Sequence, residues 1–286
     1  MSERSVKNFI RNFEERVRKT IQKYELCSKN DKIVVACSGG KDSTTVLYLL
    51  NKFGYNVSAL HINLLMGKWS EQNLVNVKKF CEEQGIKLHV YSIRDEIGYG
   101  ICYVKSVVQQ KAKLKQCSIC GVIRRWLINK KARQLGATKL ATGHNLDDEA
   151  QTIIMNILRG DPYYGLGLGP ITGVINDKKF VTRIKPLYWC KEADVKQYSQ
   201  LMNFPVLYQR CPCVIGATRH EVRNKLNELE KINPDVKKNI VKNFLKIKES
   251  LKKNLSNEKI NYCKSCGEPS RNAVCKACQL LQLADD

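Results

Sequence analysis

CSGGKDSTTVLYLL, residues 37–50, is the stretch that decides the fold of this chain. Two glycines, a lysine, an aspartate and two serines stand between the apolar run KIVVAC (32–37) and a segment with helical spacing. Glycines let a backbone turn its N–H groups toward an anion, and the dipole at a helix N-terminus attracts one. The simpler interpretation is a glycine turn in which Ser43 or Asp42 only caps the helix. The full order of residues favours a phosphate site, although the Walker pattern G-x-x-x-x-G-K-S/T is absent.

Apolar runs and helical segments alternate on both sides of this stretch. Strands are predicted at 32–37, 56–64, 86–93 and 138–144, and helices at 43–54, 71–85, 121–136, 147–160 and 192–203. Strands that alternate with helices of this length are typical of a doubly wound parallel sheet. The predicted fold class is therefore α/β.

Shifts in composition divide the chain into four predicted parts. Residues 1–30 contain an amphipathic helix, and residues 31–218 form the α/β unit. Lys, Asn, Glu and Leu with helical spacing predict a helical extension at 219–260, and a small cysteine module follows at 261–286. Within the α/β unit, GDPYYGLGLGPITG (160–173) is predicted to be a glycine-rich loop.

The charge of the chain favours a polyanionic partner. The 286 residues carry a formal net charge of +22, and basic side chains displace counterions from nucleic-acid phosphates. A lysine-rich solvated surface is the alternative, but residues 97–146 contain ten Lys or Arg and no acidic residue. No apolar stretch approaches the roughly 20 residues of a membrane span, and the charged N-terminus is unlike a signal peptide. We therefore expect a cytoplasmic protein that binds nucleic acid and no membrane.

Eight of the thirteen cysteines occur in pairs. Cys117 and Cys120 stand at the start of a predicted helix, where two thiols can bind a metal, form a redox disulfide or hold part of an iron–sulfur cluster. A third thiol could come from Cys211, with Cys213 beside it, but ninety residues separate Cys120 from Cys211 and only folding can join them. The isolated cysteines are predicted to be small buried residues: Cys27, Cys37, Cys81, Cys102 and Cys190.

The last two pairs form a pattern of their own, Cys263-x2-Cys266-x8-Cys275-x2-Cys278. Four thiolates in two knuckles predict a closed, tetrahedral structural zinc site. A module this small has no core, so it is expected to fold around its metal.

A second strand-to-helix junction, ATGHNLDDEAQT at 141–152, supports a site at the same edge of the sheet. Ligands of open parallel sheets bind beyond the carboxyl ends of the strands. Gly143 allows close approach there, and Asp147 and Asp148 stand where a helix begins. The alternative is that the two acids only complement the helix dipole.

The loop SGGKDS (38–43) resembles the SGGxDS loop of the PP-loop ATP pyrophosphatases, which split ATP into AMP and pyrophosphate. The resemblance implies a sheet of the PP-loop type and a loop in which each residue contacts nucleotide or metal. Phosphates would be cradled by Ser38, Gly39, Gly40 and Ser43, Mg²⁺ would be held by Asp42, and charge would come from Lys41. His61, at the end of the second strand, would lie near the adenine, although a packed core histidine is equally typical of that position.

Together with the segment GHNLDD and the cysteines, the loop resembles the TtcA/TtuA family of tRNA 2-thiolation enzymes, especially its archaeal and eukaryotic cytosolic uridine branch, over about 32–278. In that family three cysteines hold a 4Fe-4S cluster and leave one iron free to carry a sulfide, whereas an older proposal uses a cysteine persulfide. The matching positions are Cys117, Cys120 and Cys211. Arg124 and Asp148 match a basic and an acidic position tied to ATP binding or activity, and Arg124 could instead belong to a tRNA-facing surface.

The sequence departs from that family in two places. The uridine branch usually has an N-terminal zinc finger besides the C-terminal one, but residues 1–30 contain one cysteine only. Cys213 is an extra thiol, which could replace Cys211 as a ligand or relay sulfur.

The resemblance implies adenylation of the uracil C2 oxygen by ATP, followed by sulfur transfer that yields 2-thiouridine in tRNA. The implied cofactors are ATP, Mg²⁺, the 4Fe-4S cluster and Zn²⁺. The sulfur donor would be free sulfide, a cysteine desulfurase or a ubiquitin-like thiocarboxylate carrier, and a homodimer is a family expectation. Wobble position 34 is favoured over position 54, because a chain rich in Asn and Cys with few acids is unlike a hyperthermophile protein.

Three other functions are considered and disfavoured. Thiolation of a tRNA cytidine shares the loop and the cluster but lacks the C-terminal zinc module. Lysidine-type or amidating PP-loop chemistry needs no Cys117/Cys120 pair. A zinc-ribbon RNA-binding adaptor with an inactive loop does not need Ser38, Asp42 and Asp148.

Overall fold

The computed structural model of the chain describes residues 2–160, 165–172, 177, 179–209, 211–213, 218–252 and 261–285. Parts of the glycine-rich loop predicted at 160–173 and of the helical extension predicted at 219–260 lie outside these residues. The strands are β1 (Ile33–Ala36), β2 (Val57–Asn63), β3 (Leu88–Ser92), β4 (Lys139–Ala141), β5 (Ile171–Thr172), β6 (Thr182–Ile184), β7 (Asn261–Tyr262) and β8 (Pro269–Ser270). The helices are α1 (Glu3–Lys23), α2 (Lys41–Lys52), α3 (Lys68–Glu83), α4 (Ile93–Ile97), α5 (Ile101–Lys111), α6 (Gln116–Gln134), α7 (Leu146–Ile157), α8 (Glu192–Leu201), α9 (Thr218–Ile232), α10 (Val236–Lys252) and α11 (Lys276–Asp285).

Six strands form one sheet in the order β3-β2-β1-β4-β6-β5. Strand β1 pairs in parallel with β2 and β4, whereas β5 runs antiparallel to β6 at one edge. The strand order reverses between β1 and β4, which is where open α/β sheets bind ligands. The doubly wound sheet predicted from the sequence is present, and its short antiparallel edge was not predicted.

Both faces of the sheet are buried, as the continuous apolar runs indicate. In β1, Ile33 and Val35 face a core formed with α1, α2, α3 and α8, whereas Val34 faces the opposite core with Ala132 of α6. The N-terminal helix belongs to the first core, to which it contributes Phe13 and Val17. The four-part division of the chain stays a prediction.

Helix α5 was not predicted, because part of its apolar side is completed only by α11, far downstream in the chain. Its buried residues Ile101, Val104 and Val108 pack against α6 and against Leu280 of α11. The C-terminal module therefore completes a core that begins far upstream in the chain. Among the helices of the described ranges, none is both long enough and apolar enough to cross a bilayer.

A buried ion pair fixes the helical extension to the α/β unit. Lys237 of α10 lies 2.5 Å from Asp147 at the start of α7 and 2.7 Å from Glu230 of α9. The Lys237 and Asp147 side chains are 3% and 7% exposed. Asp147 also accepts a 2.7 Å hydrogen bond from the backbone N–H of Glu192, where α8 begins. Of the two adjacent acids, Asp147 therefore has a structural role.

We expect Lys237→Met to destabilise the fold by about 3 kcal/mol, because it leaves the Asp147 carboxylate buried without its cation. Urea unfolding of the metal-loaded protein measures this change in the free energy of unfolding.

The adjacent Lys238→Met is the matched control, since that side chain is 57% exposed and its surface pair is worth less than about 1 kcal/mol. Equal unfolding midpoints for the two variants would show that the buried pair does not fix the helical extension.

Candidate active site

The loop after β1 is closed by its two serines. The Ser43 hydroxyl accepts a hydrogen bond from the Ser38 N–H at 3.2 Å, donates one to the Gly40 carbonyl at 3.1 Å, and lies 3.3 Å from the Ser38 hydroxyl. These contacts hold the loop in a tight turn at the C-terminal end of the strand. Two of the predicted phosphate ligands thus also shape the loop.

The start of α2 is open to a ligand. Its N-cap is Gly40, and no side chain caps the free N–H groups of the first turn. Such a turn attracts anions through its N–H groups and the helix dipole. Gly39 has a φ of +85°, and a Cβ there would lie 2.6 Å from the Asn73 Oδ1 atom. Only glycine fits this position, so the turn depends on it.

Gly143 brings the second junction against the first. Val35 of β1 and Ala141 of β4 are paired neighbours, so the two strand ends lie side by side. A Cβ on Gly143 would lie 2.7 Å from both the Asp42 carbonyl carbon and the Ser43 nitrogen. The close approach expected at Gly143 is therefore made by the protein backbone.

The two predicted acidic residues of the site, Asp42 and Asp148, lie near each other. Asn145 links them, because it donates a 3.0 Å hydrogen bond to Asp42 and forms a capping box with Asp148. Desolvation and the Asp42 charge raise the pKa of Asp148 to about 6, against the opposing charge of Arg219. Asp148 therefore caps α7, as the simpler interpretation holds, and also presents a carboxylate to Asp42. Paired carboxylates are ligands that Mg²⁺ accepts.

Lys41 lies between two carboxylates. Its ammonium is 2.8 Å from Asp42 and 3.3 Å from Glu192, and Glu192 also pairs with Arg223 at 2.8 Å. Burial lowers the pKa of Lys41, but the Asp42 and Glu192 carboxylates outweigh this and raise it overall. Lys41, the predicted source of positive charge at the loop, thus lies within an ion network that the sequence did not reveal.

Several positively charged side chains lie near His144. The pKa of His144 is lowered, first by desolvation and then by the charges of four basic residues: Lys185, Arg219, Arg124 and Arg183. Arg219 on α9 also lies 3.3 Å from Asp148. The neutral imidazole and its cationic surroundings suit an anionic ligand.

His61 is buried at the end of β2, with 3% of its surface exposed. Its Nδ1 lies 2.9 Å from the Cys37 carbonyl and so carries the proton, while Nε2 is an acceptor without a hydrogen-bond partner in the described residues. Burial lowers the pKa of His61, so the ring is neutral.

Folding brings the cysteine pairs at 117/120 and 211/213 together. Cys117 and Cys120 lie in the first turns of α6, and the Cys117 thiol lies 3.6 Å from the Cys213 carbonyl oxygen. Burial raises the pKa of Cys120, whereas the charges of Arg124 and Lys105 lower it and that of Cys213 raises it. The pKa of Cys211 is raised by burial and also responds to Cys213 and Cys120.

All four of these thiols are free, and the donor set suits an iron–sulfur cluster, which cysteine thiolates hold. Among the described residues, only the C-terminal cysteines place three or more ligand atoms within 4.8 Å of one another. Cys117, Cys120 and Cys211 do not form so compact a set.

The C-terminal cysteines form a compact ligand set. The four Sγ atoms all lie within 4.8 Å of one another, in a module made of β7, β8 and α11. The members of this set are Cys263, Cys266, Cys275 and Cys278. Their arrangement suits one tetrahedral metal ion.

A buried carboxylate joins this module to α6. Glu268, 5% exposed, accepts hydrogen bonds from both Arg133 Nη atoms and from Asn129. Helix α6 therefore carries the Cys117/Cys120 pair at one end and contacts the C-terminal module near the other.

Acidic residues from other parts of the chain lie beside the acid-free segment at 97–146. Glu96 pairs with Lys130 and Lys131, Glu268 pairs with Arg133, and Lys105 is buried. The exposed cations that remain on this segment include Lys111, Lys113, Arg124 and Arg125. The basic surface is thus smaller than predicted and lies around the cysteine pair.

Several residues of the site were missed. Arg219 and Asn145 contact the predicted acids, Glu192 pairs with Lys41, and Lys105 contacts Cys213 at 3.0 Å. The position of Asn145, three residues before Asp148, is a capping signal that could have been used. No sequence signal marks the others, since their partners lie far along the chain.

Proteins of similar sequence show the family of this chain. Residues 9–230 match the family of PP-loop domains. The chain is 38% identical over 276 residues to the tRNA-5-methyluridine(54) 2-sulfurtransferase of Pyrococcus horikoshii, covering 96% of this chain and 86% of that protein. It is 31% identical over 281 residues to the cytoplasmic tRNA 2-thiolation protein 1 of Caenorhabditis elegans, covering 96% and 73%.

A solved structure gives the same likeness. The U34-tRNA thiolase NcsA from Methanococcus maripaludis, solved with its 4Fe-4S cluster, superposes with a TM-score of 0.79 at 31% identity, covering 97% of this chain and 88% of that one. The predicted PP-loop α/β fold is confirmed.

We expect Gly143→Ala to weaken ATP binding at least tenfold, since a contact of this kind costs about 1–3 kcal/mol and would displace the start of α2. Titration calorimetry with a non-hydrolysable ATP analogue measures the effect.

Gly167→Ala is the control, because a Cβ at that position would meet no atom of the described residues within 4 Å. Unchanged nucleotide affinity in the Gly143 variant would contradict a tight junction.

Asp148→Asn should stabilise the metal-free fold at pH 7.5 by about 2 kcal/mol, because an acid whose folded pKa is raised destabilises the fold when ionised. The benefit should decline as the pH falls through about 6 and vanish near the ordinary pKa of 3.8. Thermal melts at a series of pH values measure it.

Asp147→Asn is the control and should destabilise, since it removes a partner of Lys237. A loss of stability in both variants would show that Asp148 is stabilising as a carboxylate.

Proposed function

Because the chain belongs to the PP-loop family of tRNA 2-thiolation enzymes, as its resemblance to the TtcA/TtuA family predicted, we propose that it is an ATP-dependent tRNA uridine 2-sulfurtransferase. The observation that carries this proposal is the joining of two sites. The Cys117, Cys120 and Cys211 thiols lie near one another, and the Arg124 charge acts both on Cys120 of this group and on His144 of the second junction.

ATP activates the uracil in this proposal. The C2 oxygen of uracil is a poor leaving group, and transfer of AMP to it gives a good one. The open first turn of α2 and the Ser38 hydroxyl bind the phosphates, while Asp42 and Asp148 would hold Mg²⁺. Arg124 and Arg219 stabilise the charge that develops at the α-phosphate.

Sulfur is presented from the cysteine site. Cys117, Cys120 and Cys211 would hold a 4Fe-4S cluster, which supplies a sulfide for transfer when it is bound. The same three thiols serve the alternative route through a cysteine persulfide. In either route Arg124 lies near both the thiols and the second junction, where it can orient the activated uridine.

The C-terminal module would bind Zn²⁺ through its four cysteines and brace α6. Exposed cations next to the cysteine pair, among them Lys111 and Lys113, would contact tRNA phosphates. The bases of single-stranded RNA are commonly splayed out when a protein recognises them, so an unpaired uridine can reach the site in this way.

The similar proteins are named for different uridines of tRNA, position 54 in one and position 34 in another. Wobble position 34 is our proposal, and its support is the composition of the chain and the superposition on a U34-tRNA thiolase. Position 54 is the second candidate, favoured by the 38% identity to a position-54 enzyme.

We expect anaerobic protein with ATP, Mg²⁺, sulfide and unmodified tRNA to replace one oxygen by sulfur at a single uridine. Mass spectrometry of mapped tRNA fragments shows the position. Asp42→Asn should lower the rate about 100-fold, whereas Asp95→Asn, an exposed acid on α4, should not.

Cys211→Ser separates the two half-reactions. It should still release pyrophosphate from ATP in the presence of tRNA but form no thiouridine. Sulfur found in a cytidine, or in no tRNA at all, would contradict the proposal, and sulfur at position 54 would select the second candidate.

A further inference from the structure

A cavity lies beside the cysteine site, next to α5. Its volume is about 410 Å³, and its lining includes Cys102, Lys105, Ser106, Gln109, Gln116 and Cys213. Two thiols and one ammonium thus face a cavity that the reaction described above does not use.

Lys105 has an unusual position for a lysine. It is 3% exposed, and its ammonium donates a 3.0 Å hydrogen bond to the Cys213 thiol. Within the described ranges no carboxylate lies close enough to form an ion pair with it. A buried cation needs an anion or a strong acceptor nearby, and among the described residues the Cys213 sulfur is the acceptor that Lys105 contacts.

Cys213 stands at the boundary between this cavity and the cysteine site. Its backbone carbonyl lies 3.6 Å from the Cys117 thiol, whereas its side chain contacts Lys105 and lines the cavity. Sulfur carried on Cys213 would therefore be next to the three thiols without occupying them.

We propose that Cys213 receives sulfur as a persulfide, that the cavity admits the donor, and that Lys105 holds the negative charge of the terminal sulfur. This inference rests on the proposed function and names its sulfur entry site. The Cys213 sulfur attacks the outer sulfur of a donor persulfide, R–S–SH. A new S–S bond forms as that of the donor breaks, and the donor leaves as R–SH with the proton from Cys213, so no oxidant or reductant is consumed.

The test treats anaerobic, cluster-loaded full-length protein with glutathione persulfide, followed by alkylation and peptide mass spectrometry. Extra sulfur should be found on Cys213 rather than on the exposed Cys102 at the rim. Lys105→Met should lower the Cys213 occupancy at an early time at least about tenfold, the effect of losing one adjacent charge, and Lys105→Arg should restore most of it. Lys78→Met, an exposed lysine on α3, should leave the Cys213 occupancy unchanged.

Cys213→Ser supplies the second measurement. It should keep the iron–sulfur absorbance and the thiolation rate with free sulfide, but lose at least about tenfold with the persulfide donor, as for the charge deletion. Loss of the absorbance would make Cys213 a cluster ligand and overturn the inference, as would equal labelling of Cys102 or an unaffected Lys105→Met variant. Labelling of Cys213 in a protein that thiolates no tRNA would uphold this site and reject the proposed function.

Discussion

The close contact between two strand-to-helix junctions is the constraint on which the rest of the site depends. Adjacent parallel strands bring Gly143 against the first turn of α2, where no Cβ can be accommodated. That contact places Asn145 and Asp148 within reach of Asp42. With Gly40 at its N-cap, α2 has no side-chain cap on its first N–H groups, as an anion site at the switch point of the sheet requires.

The cysteine site is built by different means, since its parts come from distant segments. Helix α6 presents Cys117 and Cys120. The segment at 211–213, which lies far downstream in the chain, packs beside Cys117. Arg124 connects the two regions electrostatically, because its charge acts on both Cys120 and His144. In the proposed reaction, activation by ATP and delivery of sulfur would therefore take place close to each other.

The sequence predicted what local patterns encode. Strands β1 to β4, the phosphate loop and the four-cysteine module follow from apolar runs, glycines and spacing, and the structure agrees with each. Helix α5 escaped because its apolar side is completed by α11, and Lys105 escaped because a lysine on a helix is normally solvated. The roles of Asp147 and Asp148 could not be separated from sequence either. Only the position of Lys237, ninety residues downstream, shows which of the two is structural.

The bond between Glu268 and Arg133 has a consequence for the assembly of the protein. A module without a core is ordered by its metal, and this one contributes Leu280 to the packing of α5 and α6 as well as the carboxylate that binds Arg133. In the proposed function, a metal bound by the C-terminal thiols would therefore also stabilise α6, the helix that presents Cys117 and Cys120. Hydrogen exchange along α6 with and without a zinc chelator would reveal this dependence, and unchanged protection would refute it. The second cysteine site would then depend on a metal that it does not itself bind.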